Sequence, residues 1–143
     1  MAIANYTTKV SQKKTVSEIQ DMLAEAGAKS LSVEYVDKQP VGIAFTVDLG
    51  DGYLVPYRVP CNWRGVLVRL RADAVSGQYR NEDQARRVAW RITRDWLRAQ
   101  IALTEAGQAD LAEVFLPYAI HSSGRTLYQI FQDDGFPALA PDQ

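Results

Sequence analysis

The chain of 143 residues carries one cysteine and one histidine. Cys61 alone can form neither an intramolecular disulfide nor a cysteine metal cluster, which fits a reducing, cytosol-like compartment. Next to Asn62 at a helix start, with no histidine near it in sequence to act as a base, it reads as a small buried thiol. His121 lies in the loop His121-Ser122-Ser123-Gly124, where adjacency in sequence gives no triad geometry. No apolar run approaches the ~18–20 residues that span a bilayer. Met1-Ala2-Ile3-Ala4-Asn5 lacks a basic region followed by an apolar core, so no secretory signal is expected. Asp48-Leu49-Gly50-Asp51-Gly52 lacks the lysine and serine of a phosphate loop, and also the spacing and closing glutamate of a calcium loop. Asp133-Asp134 reads as a helix-end pair rather than a metal site. These absences remove every catalytic signature that leaves a local motif. The expectation is a non-enzymatic, cytoplasmic protein with no cofactor, no metal and no membrane association.

What is present is an ordinary globular composition, 47% hydrophobic and 23% charged, with a charge distribution that is not ordinary. The net charge is −1. All five lysines lie at or before Lys38, and ten of the eleven arginines lie between Arg58 and Arg98. Over residues 58–98 ten arginines face four acids, over 1–57 five lysines face seven acids, and over 99–143 one arginine faces six acids. A basic middle therefore sits between two acidic flanks. A pI near 5.8 argues against a general nucleic-acid coat but leaves room for a local basic groove.

Periodicity predicts one α+β domain over residues 1–143, with a strand–helix–meander part before residue 60 and a mainly helical part from 61 onward. Tyr6, Thr8 and Val10 alternate and predict a strand over residues 3–10. Thr15-Val16-Ser17-Glu18 has capping-box spacing. The helix behind it is expected to bury Val16, Ile19, Leu23 and Ala26 and to end at Gly27. Leu31/Val33/Tyr35, Ile43/Phe45/Val47 and Tyr53/Val55/Tyr57/Val59 alternate as an antiparallel meander, with turns at Asp37–Pro40 and Asp48–Gly52. Pro56 cannot donate to a ladder, which places the last of these strands at an edge or a bulge. Asn62 is expected to cap a helix over 63–74 and Asn81 a long helix over 82–105. The buried face of the long helix is predicted as Ala85, Val88, Ala89, Ile92, Trp96, Ala99 and Leu103, with Trp90, Leu97 and Ile101 as a second apolar flank. Leu111, Val114 and Phe115 continue a helical pattern to Pro117, and Thr126 to Phe131 predicts a last short helix. Residues 136–143 read as irregular. The fold class is α+β: a three- to four-stranded antiparallel sheet packed by helices in β-α-β-β-β-α order, with a long helix and a helical C-terminal extension.

Arg87, Arg91, Arg94 and Arg98 fall within about 60° of one another on that long helix. Arg64 and Arg71 add a pair on the helix before it, and Tyr57, Trp63, Tyr79 and Trp90 are interleaved with them. Guanidinium forks bind phosphate and rings stack on bases. The expected phosphate ligands are Arg87, Arg91, Arg94, Arg98, Arg64 and Arg71, with Trp63, Trp90 and Tyr79 as stacking surfaces. Competing uses are a solvated face, local pairing (Glu82 with Arg86, Asp83 with Arg87, Asp95 with Arg91 or Arg98) and pairing with the acidic residues Glu105, Asp110, Glu113, Asp133 and Asp134.

Asn5-Tyr6-Thr7-Thr8-Lys9-Val10 with Lys14 to Gln20, and Ala85 to Ile92 running through Asp95-Trp96-Leu97 to Glu113-Val114-Phe115-Leu116-Pro117-Tyr118, resemble small uncharacterised proteins encoded by phages and prophages. The resemblance implies a viral context and transfers no functional residues. The strand–helix–three-strand–helix order is similar to the half-repeat of TATA-binding-type folds, a likeness of fold alone. The function expected is an accessory protein that binds a nucleotide or nucleic acid through the arginine helix, including an anti-defence role in which it sequesters a host signal. The alternative is a protein–protein interaction module, either a helix-mediated homo-oligomer or an inhibitor of a host defence protein.

Overall fold

The structure, a computed structural model, describes residues 1–139. The elements in chain order are α1 (Gln12–Glu25), β1 (Ser30–Val36), β2 (Gln39–Asp48), β3 (Leu54–Pro60), α2 (Trp63–Ala72), a 3-10 turn (Gly77–Tyr79), α3 (Glu82–Glu105), α4 (Leu111–Val114), a second 3-10 turn (Leu116–Tyr118) and α5 (Leu127–Asp134). The expected α+β class, antiparallel sheet, long helix and helical C-terminal part are all present. The first strand is not. Residues 4–7 form a turn, Asn5 takes a left-handed φ of 65°, and the Thr8 amide donates to the Asn5 carbonyl at 3.0 Å. The segment packs instead against α2 and α3, where Asp73 and Gln84 take its backbone groups, so the sheet has three strands and the order begins with a helix. Residues 140–143, part of the expected irregular tail, lie outside the described residues.

Ser11, rather than Thr15, starts α1. Its Oγ accepts from the Lys14 amide at 3.1 Å, and Thr15 lies one turn inside the helix, fully buried. Both residues have capping chemistry, and the earlier one gains a turn of hydrogen bonds. Glu18 is thereby freed from the helix end. Val16, Ile19 and Leu23 enter the core as expected, and Gly27, at φ 107°, ends the helix.

The sheet is a meander in the order β1-β2-β3. Asp37 and Lys38 both have positive φ, 51° and 63°, the signature of a tight two-residue hairpin turn. The register sets Ile43 between Val33 and Val59, and Phe45 between Leu31 and Tyr57. These side chains share the face that meets α1 and α3. The other face is polar: Ser30 and Thr46 hydroxyls meet at 2.7 Å, and Arg58 reaches across β2 to Glu34 at 2.8 Å. Pro56 lies on the outer strand, where its carbonyl accepts from the Ile120 amide at 2.8 Å.

Asn62 and Asn81 cap α2 and α3, accepting from Gly65 and Gln84 amides at 3.1 and 2.9 Å. The face that α3 buries differs from the one expected. Ala85, Val88 and Ala89 are inside, but the helix continues inward with Trp90, Leu97 and Ile101. Ala99 is exposed and Leu103 is 37% exposed, while Ile92 and Trp96 are half-buried. A helix with two apolar stripes gives periodicity for both, and its neighbours choose between them. Trp90 anchors the inner stripe, with Nε1 donating to the Pro40 carbonyl at 3.3 Å. Trp96 meets the C-terminal segment instead, edge-on to Phe115 at 5.9 Å and to Tyr118 at 5.3 Å. A second cluster, Leu70, Val75 and Ala85, joins α2 to α3 and takes in Ile3 and Tyr6 of the N-terminal segment. Leu97→Ala is expected to destabilise the protein by about 2–5 kcal/mol in urea unfolding, as a buried leucine does. Leu103→Ala should cost less than about 1 kcal/mol. The reverse ranking would restore the other face as the core.

Candidate anion-binding cleft

Three of the six expected arginine ligands, Arg91, Arg94 and Arg64, are already engaged by an acid or a ring within the chain. Arg91 Nη1 donates to Glu18 Oε2 at 2.7 Å. Arg94 lies 3.4 Å from the same oxygen, close enough for charge attraction but not aligned as a hydrogen bond, and its Nη1 donates to Asp95 at 3.1 Å. Arg98 shares a shallow 220 Å³ depression with Glu25 and Glu105. Arg64 and Arg86 both sit over the Trp63 ring, at 4.8 and 4.4 Å, and Arg86 also pairs with Glu82 at 2.8 Å. Arg71 is exposed in the last turn of α2, where a cation suits the helix dipole. Trp90 is 1% exposed and offers no ring face to a ligand. Of the C-terminal acids, Glu105 lines the same depression as Arg98, whereas Asp133 and Asp134 pair with Arg125 at 3.2 and 3.5 Å.

Arg87 is different. It turns from Asp83 to the neutral amide of Gln84, whose Oε1 accepts from its Nη2 at 2.6 Å and its Nε at 3.1 Å. Its position is fixed while its charge stays uncancelled. It lines a cleft of about 940 Å³ built from separate parts of the chain: the N-terminal segment, the first turns of α1, the β1–β2 hairpin, the 3-10 turn at Tyr79 and the start of α3. Among the described residues, four cations, Lys9, Lys13, Lys38 and Arg87, line it, and no Asp or Glu does. Tyr35 and Tyr79 add two rings. Of the residues expected as ligands or stacking surfaces, only Arg87 and Tyr79 are here.

The lysines were hidden because residues 1–57 are acidic in sum, and summed charge says nothing of where each side chain ends up. One signal was legible. After Ser11 the first turn of α1 has Lys13 and Lys14 and no acid. A cation at the positive end of a helix dipole is unfavourable by roughly 0.3–1 kcal/mol, and a bound anion reverses that sign. The hairpin contributes through its turn, which carries Lys38, and through Tyr35. That ring continues the every-second-residue series of Leu31 and Val33 yet is 63% exposed, lying just past a register shift between Glu34 and Tyr35.

The wall made by the N-terminal segment has no regular structure, so its backbone must find side-chain partners. Asp73 Oδ2 accepts from the Ile3 amide at 2.8 Å, Asp95 Oδ2 accepts from Asn5 Nδ2 at 3.0 Å, and Gln84 Nε2 donates to the Tyr6 and Thr8 carbonyls at 2.8 and 3.0 Å. Tyr6 packs edge-on to Tyr79 at 5.5 Å. Loss of solvent pushes the Asp73 carboxyl up, but hydrogen bonds from Arg69 and Ile3, with the charges of Arg69 and the N-terminus, outweigh it and hold the group below the ordinary aspartate value. Asp95 is likewise lowered: loss of solvent raises it, and hydrogen bonds from Asn5 and Arg94, with the charges of Arg94 and Arg91, lower it further.

Elsewhere, burial pushes the Cys61 thiol up to about 12 against the lowering effect of Thr93 and Arg86, so it is not a nucleophile at neutral pH. His121 Nδ1 accepts from the Ser123 amide at 3.0 Å in an exposed loop. Among the described residues no group of three His, Cys, Asp or Glu is arranged to hold a metal ion, and no helix is long and apolar enough to cross a membrane. No family model, curated protein or solved structure matches the chain.

Two of the latches are carboxylates with depressed folded values, so their contribution is complete above about pH 4 and is lost as pH falls through those values. Urea unfolding should give stability that declines below about pH 4, and Asp73→Asn with Asp95→Asn should flatten that decline. An acid limb as steep in the double variant as in the parent would show that the latches play no part in it.

Proposed function

We propose that this protein binds a phosphate-bearing ligand in the cleft, as a binder rather than a catalyst, and that a compact nucleotide suits it better than a nucleic-acid strand. One observation carries the reading: Arg87 and three lysines, from four separate parts of the chain, line a single concavity that no carboxylate lines among the described residues. Like charges gathered this way repel one another, and an anion with several charges relieves all of them together. A nucleic-acid strand presents phosphates in an extended row, which a groove follows better than a cleft of about 940 Å³. Tyr35 and Tyr79 offer rings to a base. In a phage setting, such a protein would act by sequestering a host nucleotide signal.

Calorimetry with ATP, inorganic tripolyphosphate and a single-stranded oligonucleotide tests this. ATP and tripolyphosphate are expected to bind, with affinity falling as salt rises. Arg87→Glu and Lys13→Glu should each weaken binding by about 10–100-fold, as loss of a charged hydrogen-bond partner does. Arg98→Glu, outside the cleft, should leave it within about twofold, since distant surface charges are screened. Binding that ignores Arg87 and Lys13 but falls with Arg98 would return the site to the helix exterior.

A second reading, a protein–protein module, rests on a separate surface. Tyr128, Phe136 and Leu139 are exposed at the C-terminal end, where Tyr128 and Phe131 both contact Phe136, with ring centres 6.1 and 5.9 Å away. Light scattering decides it: a mass that rises with concentration and falls with Phe136→Ser would support self-association through this patch, and a constant monomer mass would remove the homo-oligomer.

A further inference from the structure

We propose that Gln84 is a positioning residue that couples ligand binding in the cleft to docking of the N-terminal segment; the inference rests on the cleft being the anion site. Gln84 is 3% exposed, and its side-chain amide is fully used. The two Nε2 hydrogens go to the Tyr6 and Thr8 carbonyls, and Oε1 takes both Nη2 and Nε of Arg87. Only one orientation of the amide satisfies these partners. Turned over, it would set oxygen against two carbonyls and an N–H group against a guanidinium. One buried group thus holds both the cation on α3 and the wall that carries Lys9.

The residue type is as informative as the contacts. A glutamate could grip Arg87 equally well, but it would cancel the charge and face two carbonyls with a carboxylate. Glutamine fixes the guanidinium and leaves its charge for the cleft. Lys9 follows Thr8 directly, so it reaches the cleft only while the segment is latched. An anion that bridges Lys9 and Arg87 therefore binds the latched state and draws the population toward it, and by linkage anything that loosens the segment weakens the anion.

Asp73 gives a test in which coupling and simple electrostatics predict opposite signs. It holds Ile3 from the end of α2 and does not line the cleft. Asp73→Ala removes a negative charge, which by itself favours a polyanion. Coupling predicts the reverse: tripolyphosphate should bind the full-length variant about fivefold or more weakly. Gln84→Glu should weaken binding about tenfold or more by cancelling Arg87. Hydrogen exchange on the unaltered chain supplies a readout that needs no variant. Saturating tripolyphosphate should slow amide exchange in residues 6–10 by about tenfold or more. Tripolyphosphate binding with no added protection there, or tighter binding by Asp73→Ala, overturns the coupling and leaves the anion site standing. No binding of tripolyphosphate by the unaltered chain defeats the site and the coupling together.

Discussion

Glu18 reaches from α1 to two guanidiniums of α3, 2.7 Å from Arg91 and 3.4 Å from Arg94. The contact is possible only because α1 begins at Ser11, which leaves Glu18 in mid-helix instead of folded back on a cap. It rests on apolar packing of Val16, Ile19 and Leu23 against Trp90, Leu97 and Ile101. Packing supplies most of the energy, since a half-exposed ion pair contributes at most about 1 kcal/mol. What the pair supplies is direction. It keeps the first turn of α1, with Lys13, beside the start of α3, with Arg87, and so makes one cleft from two helices and a hairpin.

The stripe that dominates the sequence turns out to be mostly architectural. Arg58 ties strands, Arg69 closes the end of α2, Arg86 joins α3 to Trp63, and Arg91 and Arg94 join it to α1. A planar fork with five donors suits such work, because it can meet a carboxylate and a ring or carbonyl together. Three of the four cations that line the cleft are lysines, point charges on flexible stems that adjust to an anion of any shape. Arg58, Arg69, Arg86, Arg91 and Arg94 are taken up by contacts within the chain, whereas Arg87, held by a neutral amide, keeps its charge beside those lysines.

How far the sequence could be read follows the range of each cause. Asn62, Asn81 and Gly27 act within one turn of their own position, and each does what its local chemistry predicts. The meander follows from alternation together with turn residues, both local. Three misreadings share the opposite property. Tyr6, Thr8 and Val10 alternate, but their segment is taken up by α2 and α3 rather than by a sheet edge. Thr15 and Ser11 both qualify as caps, and the choice depends on where Glu18 is needed. The two apolar stripes of α3 differ in what faces them: α1, the sheet and the Pro40 carbonyl meet the inner one, and the ring of Phe115 meets Trp96 of the other. The cleft was the least legible feature, since its cations come from four places in the chain.

A protein with net charge −1 can still present a strongly positive surface to a small anion. Screening limits each charge to roughly 8–10 Å at physiological salt, so only the groups around the cleft matter to a ligand inside it. Among the described residues, four cations and no acid line the cleft itself, and low-dielectric walls concentrate the field of the charges nearest to them. On the proposed reading, a compact phosphate ligand would meet these cations together, whereas a long strand would also run over the acidic flanks; such a selectivity would come from where the charges lie and need no base-specific contact.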